Sequence, residues 1–333
     1  MKTVEEIKNM IKSPEYHFLR DIPHLGNNIV LLGLGGSYAY GTNIETSDVD
    51  IRGVATRTPR DILTGRDWEQ SVNEATDTTI YSLERMFKLL ISCNPNTLEI
   101  LGLKPEHYLY VSPIGRMILD NKNLFLSKKV LNSFSGYAMA QMNRLNNKSG
   151  RALEEVQDNE TRSINKAIVA LRRDGVVDEM TSAGEDNGDI YLYLASKYKL
   201  ENFVKLAQNV LNVHSDYSKS ARNDKAVDHG KLAKHQMHLV RLFHMALDIL
   251  ERGEINTYRE EDHDLLMDIR AGKYLIDGVT PTKEFMEMVK YYDNLLKEVA
   301  NKTGLPVNPD INKIQDLLYT INEMVITGTV RYN

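Results

Sequence analysis

Residues 33–53 read GLGGSYAYGTNIETSDVDIRG, and the fold is decided here. Just upstream and overlapping it, IVLLGL (29–34) is a β-branched, Leu-rich run bounded by Asn27-Asn28 and Gly35-Gly36, which predicts a buried strand. That strand delivers Gly36-Ser37 to the start of a short helix. Two phosphate-binding patterns come close and fail. A dinucleotide fingerprint needs a third glycine where Tyr38 stands, and a P-loop needs Lys-Ser/Thr where the chain has Thr42-Asn43. After ten intervening residues (38–47), Asp48-Val49-Asp50 leads into a second strand, predicted over 49–55.

Side chains two apart on a strand share a face, so Asp48 and Asp50 are expected side by side. Such a pair is repulsive unless a cation sits between the carboxylates. Hard oxygen ligands suit Mg²⁺, which commonly takes one or two carboxylates plus substrate phosphates. Gly36 lets a phosphate approach the backbone, Ser37 offers a hydroxyl, and the following helix start offers unpaired N–H groups. Alone, Gly35-Gly36 is an ordinary turn and the DVD triplet a solvated strand end. The complete string is explained together by a nucleoside triphosphate (NTP) bound with Mg²⁺ or Mn²⁺. Arg52 follows on the opposite strand face and reads either as an ion pair supporting the site or as a nucleotide or acceptor contact. Tyr38 and Tyr40 flank the turn, where packing is favoured over base stacking.

Working outward, DTTIY (77–81) predicts a third strand running into SLERMFKLLISC. There Leu83, Met86, Phe87 and Leu90 recur at helical spacing behind a Ser82 N-cap. Asn94-Pro95 stops that helix and TLEIL starts another. Beyond residue 125 the strand signals fade. Residues 127–146, 159–173, 231–252, 262–271, 282–301 and 310–326 carry helical periodicity, and the acidic 175–190 reads as an exposed loop. The expectation is an α+β fold, with a small mixed-sheet head (1–125) followed by an all-α domain (126–333).

The 41 Lys/Arg against 46 Asp/Glu give a net charge of −5, which argues against a general nucleic-acid coat but not against a local basic groove. One cysteine, Cys93, allows neither an intramolecular disulfide nor a thiolate zinc site. No secretory pattern opens the chain and no apolar run is long enough to span a bilayer, so a cytoplasmic protein without membrane partners is expected. Between 219 and 241, six Lys/Arg stand against Asp224 and Asp228. Lys234, His238 and Arg241 fall on one helical face, which either closes over phosphates or is a solvated basic surface. His214, His229, His235, His238 and His244 lack ligand spacing for zinc.

The GGS-to-DVD string resembles the signature of the DNA polymerase beta-like nucleotidyltransferase superfamily. The longer GGSYAYGTNIETSDVDIRGV is similar to the RNA-repair-pathway polymerase-beta-like family, RlaP. The likeness continues in NPNTLEIL (94–101), in KLAKHQMHLVRLFHMALDILERGEI and in LPVNPDINKIQDLL, while 175–225 carries no family feature. The resemblance implies that Gly36 and Ser37 hold the triphosphate and that Asp48 and Asp50 bind the divalent metal. A third carboxylate beside the acceptor hydroxyl is implied as well. Asp77 is the choice for it, because it opens DTTIY, and Glu74 is the fallback. Lys234 and Arg241 are the expected phosphate contacts from the helical domain, with His238 toward the nucleotide or acceptor. The implied reaction moves a nucleoside monophosphate to an acceptor hydroxyl, an RNA end such as that of a tRNA. Nucleotidylation of a small molecule or a protein hydroxyl, and a non-catalytic binding role, are the alternatives.

Overall fold

The computed structural model describes residues 1–136, 229–276, 278 and 280–329, together with the backbone of 177–182 and 190–194. Five strands form the head's sheet: β1 (Ile29–Gly35), β2 (Asp50–Ala55), β3 (Gln70–Asn73), β4 (Thr78–Ser82) and β5 (Tyr108–Val111), in the order β3-β4-β2-β1-β5. The sheet is mixed, since β2 and β4 run parallel while the other pairs are antiparallel. Every residue of β1 is buried, as its unbroken apolar run requires of a strand covered on both faces.

Helices α1 (Val4–Met10) and α2 (Phe18–Asp21) cover one face of the sheet, and α3 (Gly36–Tyr40) follows β1 directly. There Ile7, Leu19, Leu25, Leu34 and Ile51 form one apolar cluster. Helix α4 (Pro59–Thr64) lies between β2 and β3, and α5 (Leu83–Ile91), α6 (Pro95–Leu101) and α7 (Pro113–Asp120) complete the head. The Ser82 hydroxyl accepts from Arg85 N at 3.2 Å, so it caps α5 as expected. Asn94 caps α6 through Asn96 N at 3.0 Å, and Pro95 occupies the first turn, where its missing N–H costs nothing.

Residues 129–136 are helical, and the helices expected over 137–146 and 159–173 lie outside the described residues. The C-terminal region is helical: α8 (His229–Arg252), α9 (His263–Arg270), α10 (Lys283–Lys302) and α11 (Ile311–Thr327). A second apolar cluster runs from Val30, Leu31 and Phe87 in the head through Met237, Phe243 and Ile249 of α8 to Phe285 and Ile321. Head and helices therefore share buried surface. Where 175–190 reads as a loop, the chain instead forms an antiparallel hairpin of β6 (Val177–Ser182) and β7 (Ile190–Leu194). Acidic and glycine residues dominate the intervening stretch and obscure the β-prone IYLYL beside it. Two-residue strands β8 (Leu275–Ile276) and β9 (Thr280–Pro281) pair before α10.

Candidate active site

The turn from β1 into α3 sets the geometry. Gly36 has φ +55°, a left-handed conformation that L side chains adopt at a cost. A Cβ there would lie 1.9 Å from Asp50 Oδ2, so only glycine permits this approach. The two are brought together by sheet register, which pairs Gly35 with Asp50 across β1 and β2. Ser37 is buried at 7% exposure, and its hydroxyl bonds to no other described side chain. Tyr38 and Tyr40 pack in the core as expected, at 6% and 5% exposure.

A cleft of about 270 Å³ opens here, between the head and α8. Gly36, Ser37, Asp50 and Arg52 form one wall, with Lys234 and His238 of α8 opposite. Tyr40 and Glu99 lie at its floor, and Thr79, Tyr81 and Asn96 complete it. Residues far apart in the chain, such as Ser37 and Lys234, thus face one space.

Asp50 is the carboxylate of the cleft that stands against the Gly36-Ser37 turn. Burial pushes its pKa up; Arg52 opposes this, Asp77 reinforces it, Lys234 opposes it and Asp48 adds a further push. Arg52 Nη2 contacts Asp50 Oδ1 at 3.1 Å, while Nη1 donates to the Asp77 carbonyl at 2.8 Å. This corrects the expected placement of Arg52 on the opposite face. Two positions along a strand return to the same face, so Arg52 sits beside Asp50 and ties β2 to the start of β4. Asp48 precedes the strand, in the extended lead-in, and is exposed.

Asp77 closes a short 3₁₀ turn with φ 45° just before β4, and Ile51 N donates to its carbonyl at 3.1 Å. The parallel register pairs Ile51 with Thr78, so Asp77 falls beside Asp50 one residue ahead of the ladder, whereas Glu74 lies earlier in the turn. Among the described residues no group of three His, Cys, Asp or Glu is assembled as a closed metal cage. The donors fit a divalent cation of another kind. Asp50 is a half-buried carboxylate under negative pressure from Asp48 and Asp77, which suits an ion completing its shell with phosphate oxygens and water.

Arg241 is where the expected basic face breaks down. It does not line the cleft; at 4% exposure it donates to Glu99 Oε1 at 2.6 Å and lies 3.6 Å over the Tyr40 ring. Tyr40 Oη donates to Glu99 Oε2 at 2.6 Å, and Thr257 Oγ1 to the Glu99 carbonyl at 2.7 Å. The third helical step of the Lys234-His238-Arg241 face leads inward, and the guanidinium is consumed by that network. Lys234, the other cation of that face, is exposed and ion-pairs with no described carboxylate. His238 packs edge-on against Tyr40 at 6.2 Å. Burial, then the charges of Arg241, Lys234, His235 and Arg270, hold its pKa well below the usual histidine value, so it is neutral at pH 7.

Glu99, Asn96, Thr79 and Tyr81 were not singled out from the sequence. One signal for Glu99 was present: an acid flanked by Leu98, Ile100 and Leu101 in a short helix needs a buried partner.

No solved structure matches the chain. A protein of Enterobacteria phage T4, described as an uncharacterized 38.9 kDa protein in the nrdC-mobD intergenic region, is 25% identical over 321 residues, covering 85% of this chain and 94% of that protein. No described helix is long and apolar enough to cross a membrane. The model of the RNA repair pathway DNA polymerase beta family, RlaP, matches residues 5–257, which include the Gly36-Ser37 turn, Asp48, Asp50, Asp77, Glu99 and the whole α8 wall. The chain belongs to the RNA repair pathway DNA polymerase beta family.

Proposed function

We propose that the cleft transfers a nucleoside monophosphate from an NTP to an acceptor hydroxyl on RNA, such as a tRNA end, with pyrophosphate as the leaving group. The observation that carries this reading is the abutment of Gly36 against Asp50, with Ser37 beside them and Lys234 across the cleft. A phosphate seat and a metal-seeking carboxylate share one wall there, and an exposed lysine faces them.

In this reading the Ser37 hydroxyl and the backbone N–H groups of the turn hold phosphate oxygens, and Lys234 neutralises them from α8. Asp48 and Asp50 would hold Mg²⁺ or Mn²⁺, assisted by Asp77. The ion would supply charge neutralisation and a lowered pKa for the acceptor hydroxyl. Arg52 keeps Asp50 and the start of β4 in place. Asp77, at the exposed rim, orients the acceptor hydroxyl and takes its proton. Neutral His238 presents an uncharged ring nitrogen to the nucleotide or acceptor, which avoids competing with Lys234 for phosphate.

The test is incubation with each α-labelled NTP, Mg²⁺ or Mn²⁺, and a tRNA pool beside protein alone. Label in RNA is the expected result. Label on the protein itself would redirect the reading to protein nucleotidylation, and no label with any acceptor would overturn it. Ser37→Ala should weaken NTP affinity by roughly 10- to 150-fold, the worth of one charge-assisted hydrogen bond.

A further inference from the structure

The loop between α3 and β2 carries Asp48, yet little in the loop itself holds it. Ile44, Glu45 and Thr46 are exposed and so is Asp48; buried side chains stand only at the loop's two ends, Thr42 and Val49. Its internal structure is one tight turn: Ser47 N donates to the Ile44 carbonyl at 3.0 Å, and Ser47 Oγ accepts from Ile44 N at 2.9 Å. Segments with few buried contacts and exposed hydrogen bonds open readily unless tied elsewhere.

The tie comes from the C-terminal helices. Arg270, the last residue of α9, donates from Nη1 to the Thr42 carbonyl at 2.7 Å and from Nη2 to Ser47 Oγ at 3.2 Å. One planar guanidinium thereby spans both ends of the turn, a geometry lysine cannot reproduce in full. The same C-terminal stretch grips the residues just before it. Arg259 N donates to the Tyr40 carbonyl at 3.1 Å, and the Tyr258 ring packs against Gly41 so closely that a Cβ there would fall 2.4 Å from it. Arg270 lies beyond residue 257, where the family match ends.

We propose that Arg270 is a positioning residue for nucleotidyl transfer: it pins the Thr42–Ser47 turn, so that Asp48 stays within range of Asp50. Both of its described hydrogen bonds go to that turn. The inference rests on the reading of the cleft given above, in which Asp48 and Asp50 act together.

Two measurements on the full chain test it. The first is hydrogen–deuterium exchange of wild type, Arg270→Ala, Arg270→Lys and Ser47→Ala without any ligand. Exchange over 42–49 should rise about tenfold in Arg270→Ala and less in Ser47→Ala, with Arg270→Lys between wild type and Arg270→Ala, while the sheet stays protected. The second is Mn²⁺ titration, read by electron paramagnetic resonance in the presence of a non-hydrolysable triphosphate. The Mn²⁺ midpoint should rise about tenfold in Arg270→Ala and should also rise in Arg270→Lys, which keeps the charge and loses the two-point tie.

Wild-type exchange over 42–49 together with a wild-type Mn²⁺ midpoint in Arg270→Ala would overturn the proposal. If Arg270→Ala loosens the whole chain, Ser47→Ala decides, and unchanged loop exchange in that variant overturns it. Failure of wild type to bind Mn²⁺ with the triphosphate would instead sink the nucleotidyl-transfer reading. The exchange experiment reports on the Arg270 tie in either case.

Discussion

Arg241 and Glu99, 142 positions apart in the chain, meet at 2.6 Å beneath the cleft with both side chains almost wholly enclosed. The Tyr40 hydroxyl completes the pair, so the last residue of α3, the middle of α6 and the middle of α8 converge on one carboxylate. Breaking a buried pair from one side leaves an uncompensated charge. Arg241→Met should therefore cost about 3–5 kcal/mol in urea unfolding. Adding Glu99→Gln should restore part of that loss, because no buried charge then remains. A single variant within about 1 kcal/mol of wild type would show the pair to be energetically idle.

Gly36→Ala tests the abutment against Asp50. The new methyl must displace the Asp50 carboxylate, and a displacement of this size costs transfer roughly a hundredfold. The backbone strain itself is about 1–2 kcal/mol. Gly65 offers the matched control, with φ +68° and nothing within 4 Å of the place a methyl would take. Gly65→Ala should show the strain in its melting temperature and leave transfer at the wild-type rate. Equal activities in the two alanine variants would separate Gly36 from the chemistry.

The raised pKa of Asp50 gives a signed prediction for the ligand-free protein. The folded chain holds the Asp50 proton more tightly than the unfolded chain does. That contribution to stability is complete below the ordinary carboxyl value, about 3.9, and is lost as pH rises through the higher folded value. Asp50→Asn removes the loss and should abolish transfer. The melting temperature of Asp50→Asn relative to wild type should thus climb between about pH 4 and pH 7. A difference that stays flat over this interval would mean Asp50 ionises in the fold as freely as in water.

Lys234→Glu should weaken NTP binding and RNA binding alike, and should lower the slope of RNA affinity against salt by about one for each phosphate that the lysine no longer neutralises. The substitution also withdraws a charge that eases Asp50 ionisation, so the carboxyl pKa should rise further. Filter binding at several salt concentrations measures the slope. A Lys234→Glu protein with the wild-type slope would place the polyanion elsewhere.

Local pattern explains which parts of this architecture were legible in advance. The apolar run at 29–34, the β-rich 49–55 and DTTIY became β1, β2 and β4 within a residue or so, because each is bounded by its own turn residues. Ser82 and Asn94 act as caps through contacts two or three residues away. The strands β3 and β5 escaped notice since four residues with partly exposed side chains leave no period to detect. Arg241 shows the other boundary. Helical spacing groups it with Lys234 and His238, but the partner that draws it out of that face into a core ion pair is Glu99, on a helix of the head. Arg52 is a simpler matter, as strand alternation places it with Asp50 once the strand is known to begin there.

The ties that complete the cleft all reach forward across the chain. Glu99 waits for Arg241 and Thr257, 142 and 158 positions later, and Thr42 waits for Arg270 across 228. A ribosome adds roughly 5–20 residues per second, so the turn around Ser37 leaves the tunnel many seconds before its opposing wall exists. Throughout that interval the head's future floor is a glutamate with the Tyr40 hydroxyl available to it and no arginine to balance its charge. The site is consequently one of the last features of the molecule to be assembled during synthesis, and a chain terminated before α8 has a phosphate turn that opens onto solvent on its far side.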